Sequence, residues 1–188
     1  MNRQDAAQLL EGIHPGFFEQ LAIQRIPEGR IFEEMLLSLR DFDADAFSLP
    51  VPENVSFGFY TGPRDALVKA VEQVGPGWVP LFTPEERVYC GMRGDEIASF
   101  CLVEDMGAHA LNGRRVRVGG PGCVGTVPAF RRQGIGLRMV LDVTSILCRE
   151  GYDISYIHFT GVAPWYAKLG YCTCLRWTGQ GPLPENKK

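Results

Sequence analysis

The stretch that most restricts the fold of this chain lies in its C-terminal half. From Gly134, apolar Val140, Val143, Ile146 and Leu147 recur on one stripe until Gly151, the spacing of a helix that buries one face. Strand-like runs bracket it, "RRVRVGGPGCVGTV" before and "ISYIHFT" after. Strand, helix, strand in succession calls for a sheet with helices on its faces. The neighbouring segments agree. "VSFGFY" reads as a strand leading into a helix whose stripe is Leu67, Ala70, Val71 and Val74. "RVYCGMRGDEIASFCLV" reads as a hairpin turning at Gly94 and Asp95. "APWYAKLG" makes a short helix closed by Gly170, and "YCTCLRW" a last strand. The fold class is α/β, a mixed central sheet with helices on both faces. Gly119, Gly120 and Pro121 interrupt regular pairing, so the sheet is expected to splay there.

Ahead of this pattern, Phe32, Met35, Leu36 and Leu39 fall at helical spacing, and "FEEMLLSLRDF" is expected to form an amphipathic helix. The organisation that follows is a helical N-terminal extension over residues 1–52 packed on the core, one domain over 53–180, and a loose tail over 181–188. At 188 residues the chain suits one filled core. A net charge of −3 argues against a nucleic-acid surface, leaving room only for a local anion site. The six cysteines lack the paired spacing of a zinc site, so no metal is expected and reduced thiols are. No apolar run reaches the length of a membrane span or signal peptide, and a cytoplasmic protein without a membrane partner is expected.

"FRRQGIGLRMV" sets two arginines and two glycines at the mouth of the long helix. A helix start leaves N–H groups unpaired and carries about half a positive charge. Gly134 and Gly136 clear side chains from those amides, and Arg131 and Arg132 add charge, an arrangement suited to pyrophosphate. A solvated basic helix start would look the same in isolation. No Gly-Lys-Ser/Thr follows, and Met139 stands where a dinucleotide fingerprint has its third glycine, so two common phosphate loops are excluded.

The pattern Arg131, Arg132-Gln133, Gly134, Ile135, Gly136 resembles motif A of the GNAT family of acetyl-CoA-dependent N-acetyltransferases. "VGTVPAF" upstream and "WYAKLGY" downstream resemble that family's fourth strand and its aromatic-Tyr-x-x-Leu-Gly segment. The resemblance covers roughly residues 55–177 and implies acetyl-CoA as cosubstrate, held between two splayed strands. It implies that backbone groups of Gly125, Thr126 and Val127 pair with the pantetheine arm. Arg132, Gln133, Gly134, Ile135, Gly136 and Leu137 would wrap the pyrophosphate, with Arg131 and Arg132 side chains as helpers. It assigns Tyr166 as the acid that protonates the departing thiolate.

Two positions depart from that family's pattern. Ile154 stands where some relatives carry a glutamate, and Phe159 where many carry a CoA-binding asparagine, leaving Thr160 as its substitute. For the base, His158 and the acidic pair Glu104 and Asp105 are candidates, against packing, a solvated turn or a water chain. The implied acceptor is a small-molecule or peptide amine. A non-catalytic acyl-CoA-binding module and a nucleotide-binding protein stand as alternatives, and the extension is read as a lid or a homodimer contact.

Overall fold

A computed structural model describes residues 3–111 and 113–184. Eight strands form one mixed sheet in the order β2-β3-β4-β5-β6-β1-β7-β8. In chain order they are β1 (Phe32–Ser38), β2 (Ser56–Phe59), β3 (Val88–Arg93), β4 (Glu96–Leu111), β5 (Arg114–Thr126), β6 (Ile154–Thr160), β7 (Cys172–Thr178) and β8 (Gly181–Pro182). The helices are α1 (Arg3–Ile13), α2 (Leu21–Gln24), α3 (Arg64–Glu72), α4 (Ile135–Arg149) and α5 (Ala163–Tyr166), joined by short 3-10 turns.

Alternating residues of single strands separate the two faces. Tyr89, Cys101 and Val103 pack under α4 with Val143 and Leu147, whereas Cys90, Phe100 and Leu102 pack under α3 with Leu67 and Val71. Further along the sheet, Ile157 and Met35 lie on the α4 face, and Ile154 and Tyr156 meet Leu9 of α1 on the other. The α/β class with helices on both faces is therefore the observed one. A buried network, Tyr171 to Ser155 at 2.6 Å and to Thr144 at 2.9 Å, ties α4 to the sheet.

The expected helix over residues 32–42 is instead β1, an interior strand paired antiparallel with both β6 and β7. Met35 and Leu37 pack on the α4 side, while Leu36 packs towards α1. Burial on both faces erases the two-residue alternation that marks a half-exposed strand, and the run then imitates a helical stripe. The first fifty residues thus supply part of the sheet, besides a helix lying on it. The expected loose tail begins inside β8, which pairs with β7; residues 185–188 lie outside the described residues.

β5 and β6 pair, in parallel, only at Val118 with Ile154 and Gly119 with Ser155. Beyond that point bulges bend both strands away. Cys123 on β5 and Phe159 on β6 have positive φ, 48° and 56°. Each extra residue twists its own strand and ends regular pairing. A splayed gap between two neighbouring strands is the result, and α4 begins at its rim.

Candidate active site

Gly134 caps α4 with φ 79°, a left-handed conformation that only glycine adopts at no cost. Arg132 is also left-handed, φ 61°, and a non-glycine there costs about 1 kcal/mol. Backbone of alternating handedness aims successive N–H groups to one side. Among the described residues the first helical amide with a protein acceptor is Arg138, which donates to Gly134 at 3.1 Å; those from Arg132 to Leu137 donate to none. The loop is held from outside: Arg131 Nε donates to the Thr126 carbonyl at 3.0 Å, and Gln133 bonds Ala129 and Arg93.

A cleft of about 420 Å³ opens above these amides, lined by Arg132, Gly134, Gly136, Thr126, Trp165 and Tyr166 among others. A Cβ on Gly136 would lie 2.6 Å from Thr126 Oγ1 and 3.5 Å from the Trp165 ring, so the cleft depends on that side chain being absent. A larger groove of about 560 Å³ beside α4, at Tyr89, Arg138 and Asp142, shares no residue with it.

Of the three predicted strand positions, Thr126 lines the cleft, and Gly125 backs onto the Phe100 ring. Val127 is buried in the α3 cluster. Its N–H donates to Ala98 at 3.0 Å and its carbonyl accepts from Phe130 at 2.8 Å, so neither group is open to a ligand. Thr160 is buried, and its hydroxyl accepts from the Val162 amide at 3.1 Å.

Tyr166 is 6% exposed. Its ring packs on Trp165 and Tyr171, yet its hydroxyl has no protein partner among the described residues. Burial drives its pKa well above the ordinary phenol value, which keeps the proton in place at neutral pH. The cleft therefore joins a row of free amides to one available phenol.

Consecutive strand residues point to opposite faces, and this divides the predicted acidic pair. Asp105 turns outward, accepts from Gly107 at 2.9 Å and meets Arg117 at 3.3 Å. Its carboxyl is lowered first by that Gly107 hydrogen bond. Glu104 turns inward against Gly122 of the splayed strand, and burial raises its pKa. On the same face His158 Nδ1 meets Glu34 Oε2 at 2.9 Å. Glu34 is fully buried, and its other oxygen accepts from Trp177 Nε1 at 2.7 Å and the Phe159 amide at 3.1 Å. His14, just after α1, stacks on His158 with ring centroids 4.0 Å apart. Phe17 closes the edge at 5.0 Å.

Glu34 and His14 escape sequence reading because each lies in the segment read as an appended extension. The available signal was a glutamate inside the apolar run "FEEMLLS", since a buried carboxyl needs several donors around it.

No protein-family model and no curated protein sequence matches the chain. Solved structures do match. The GCN5-related glucosamine N-acetyltransferase region of a fungal multi-domain GH3 β-N-acetylglucosaminidase superposes with TM-score 0.65 at 18% identity, over 81% of this chain and 20% of that one. The fold is that of the GCN5-related N-acetyltransferases. A tandem GNAT protein from the clavulanic acid biosynthesis pathway superposes at TM-score 0.57 and 15% identity, over 81% of this chain and 53% of that one. A GCN5-related N-acetyltransferase from Sphaerobacter thermophilus gives 0.54 and 18%, over 78% and 49%. This GNAT-fold chain thus spans between a fifth and about half of the length of those proteins. Among the described residues no group of side chains could hold a metal, and no helix is long and apolar enough to cross a membrane.

Proposed function

We propose that the protein is an acetyl-CoA-dependent N-acetyltransferase that passes the acetyl group directly to a primary amine. One observation carries the reading: the free amides of Arg132, Gly134, Ile135, Gly136 and Leu137 at the start of α4 and the unpartnered Tyr166 hydroxyl border a single cleft at the splay. The amides from Arg132 to Leu137 suit a pyrophosphate, being fixed donors at the positive end of a helix. Thr126 and Trp165 flank the path from that end of the cleft to Tyr166. Tyr166, buried and protonated at the wall of the cleft, holds a proton for a leaving thiolate. Acetyl-CoA supplies the activated acyl group; the protein's part is binding, orientation and proton movement.

Thermal unfolding with acetyl-CoA, ATP and NAD tests the cosubstrate, because a ligand of the folded state raises stability by mass action. A rise with acetyl-CoA alone supports the reading. Thiol release is then followed with amino sugars, polyamines, amino acids and short peptides as acceptors. No rise with acetyl-CoA, or a rise only with another nucleotide, would end it.

A further inference from the structure

β6 carries titratable chemistry on the face away from Tyr166: Ile157 packs with Tyr166 on the α4 side, and His158 points to the α1 side, against His14. We propose that His158 takes the proton from the attacking amine, and that Glu34 is the positioning residue which fixes its tautomer. The proposal rests on the transferase reading above.

Glu34 Oε1 is occupied by two donors, Trp177 Nε1 and the Phe159 amide. Oε2 meets His158 Nδ1 at 2.9 Å, and the buried Tyr156 hydroxyl also lies against the carboxyl. A carboxylate only accepts, so the contact places the imidazole proton on Nδ1 and the lone pair on Nε2. Nε2 has no protein partner among the described residues and is absent from the buried atoms that lack one, so it is open to solvent; the side chain is 23% exposed. His14 lies against one face of the ring and Phe17 against its edge. The ring is thereby held on three sides, with its basic nitrogen free. Its strand is one wall of the splay.

The bulge at Phe159 contributes to this. The left-handed residue next to His158 donates its amide to Glu34 at 3.1 Å, and without that donor a fully buried carboxyl would lose a backbone partner. The strain therefore sits beside the residue it serves. Trp177 adds a donor from β7, so β1, β6 and β7 all converge on Glu34.

In the transfer, the amine nitrogen forms a bond to the acyl carbon as the carbon–sulfur bond breaks. One amine proton passes to His158 Nε2, and the sulfur takes a proton from the Tyr166 hydroxyl. Release of the first proton to water and return of one to Tyr166 restore both groups. Overall, amine and thioester become amide and thiol.

Glu34→Gln is the diagnostic change. The amide oxygen can still accept from Trp177 and Phe159, but its NH2 faces Nδ1 and donates, which drives the ring proton to Nε2. Nitrogen-15 NMR of the full-length protein with labelled histidine reads this directly. Wild type is expected to carry the proton on Nδ1, and Glu34→Gln on Nε2. With the best acceptor from the amine panel, Glu34→Gln and His158→Ala are each expected to lose at least about a hundredfold in kcat, with acetyl-CoA affinity retained. The double variant is expected to be no slower than His158→Ala, because a positioning residue has nothing left to position. Additive losses would make Glu34 structural and overturn the proposal. A wild-type ring protonated on Nε2 in an active enzyme would overturn it alone. Full turnover in His158→Ala with loss in Glu104→Gln would move the proton to Glu104 and overturn it likewise. A wild type that releases no thiol with any amine overturns this proposal and the transferase reading together.

Discussion

His14 should make the protein sensitive to mild acid. Its ring is half-buried on His158, and its pKa falls from 6.5 to about 4, mainly through burial and then through the neighbouring His158. The unfolded chain binds a proton near 6.5 that the folded chain refuses until about 4. The contribution to stability is therefore present above the unfolded value and lost as pH falls through that window. A fully sealed ring would be worth about 3.4 kcal/mol at about 1.36 kcal/mol per pH unit; for a half-exposed one we take about half, roughly 1.5 kcal/mol. His14→Phe keeps a flat ring on His158 and removes the titration. Urea unfolding of both proteins from pH 7.5 to 4.5 measures the difference, with every other titrating group common to both. Wild type should lose roughly 1.5 kcal/mol more than His14→Phe across the range, or about 3–6 °C in Tm. Equal losses in the two proteins would refute the stacked, neutral His14.

Other changes separate the parts of the cleft. Gly136→Val places methyl groups between Thr126 and Trp165 and should weaken acetyl-CoA binding at least about tenfold in calorimetry, since it fills space in the proposed cosubstrate cleft. A Cβ at Gly134 meets no atom within 4 Å, but Gly134→Val puts a β-branched residue at positive φ and should cost about 1–2 kcal/mol of stability in urea unfolding. Tyr166→Phe should keep acetyl-CoA affinity and slow thiol release about tenfold or more. For the thiols, exposed Cys172 should react with iodoacetamide in the native protein. Buried Cys101, its pKa raised chiefly by burial, should react only after unfolding.

The parts of the fold legible in sequence were those with a one-sided environment. α3 and α4 each bury one stripe, and the hairpin of β3 and β4 turns at left-handed Gly94, φ 58°, so their periods survive in the residues. The left-handed turn into α4 was legible because glycine spacing records backbone geometry, φ being 79° at Gly134. β1 was not, because two-sided burial leaves no period and its partners lie far along the chain. The cluster around Glu34 was half legible. His158 stood out as a titratable residue in a strand, whereas the meaning of Glu34 depends on Trp177, which only folding brings near. Val127 shows the opposite case: chain position suggested a ligand contact, but its N–H is already bonded to Ala98 of β4 and its C=O closes a turn with Phe130.

The place of β1 between β6 and β7 sets a condition on how the molecule is made. In an open chain growing from its N-terminus, the first strand emerges long before either partner, carrying an apolar run and a carboxyl whose donors do not yet exist. Contacts this distant in sequence form slowly. Until β7 arrives with Trp177, Glu34 must stay hydrated, and its charge guards the segment against pairing with the wrong edge. The face that carries Glu34 and His158 is therefore completed only when the sheet is, so no partly folded chain carries it.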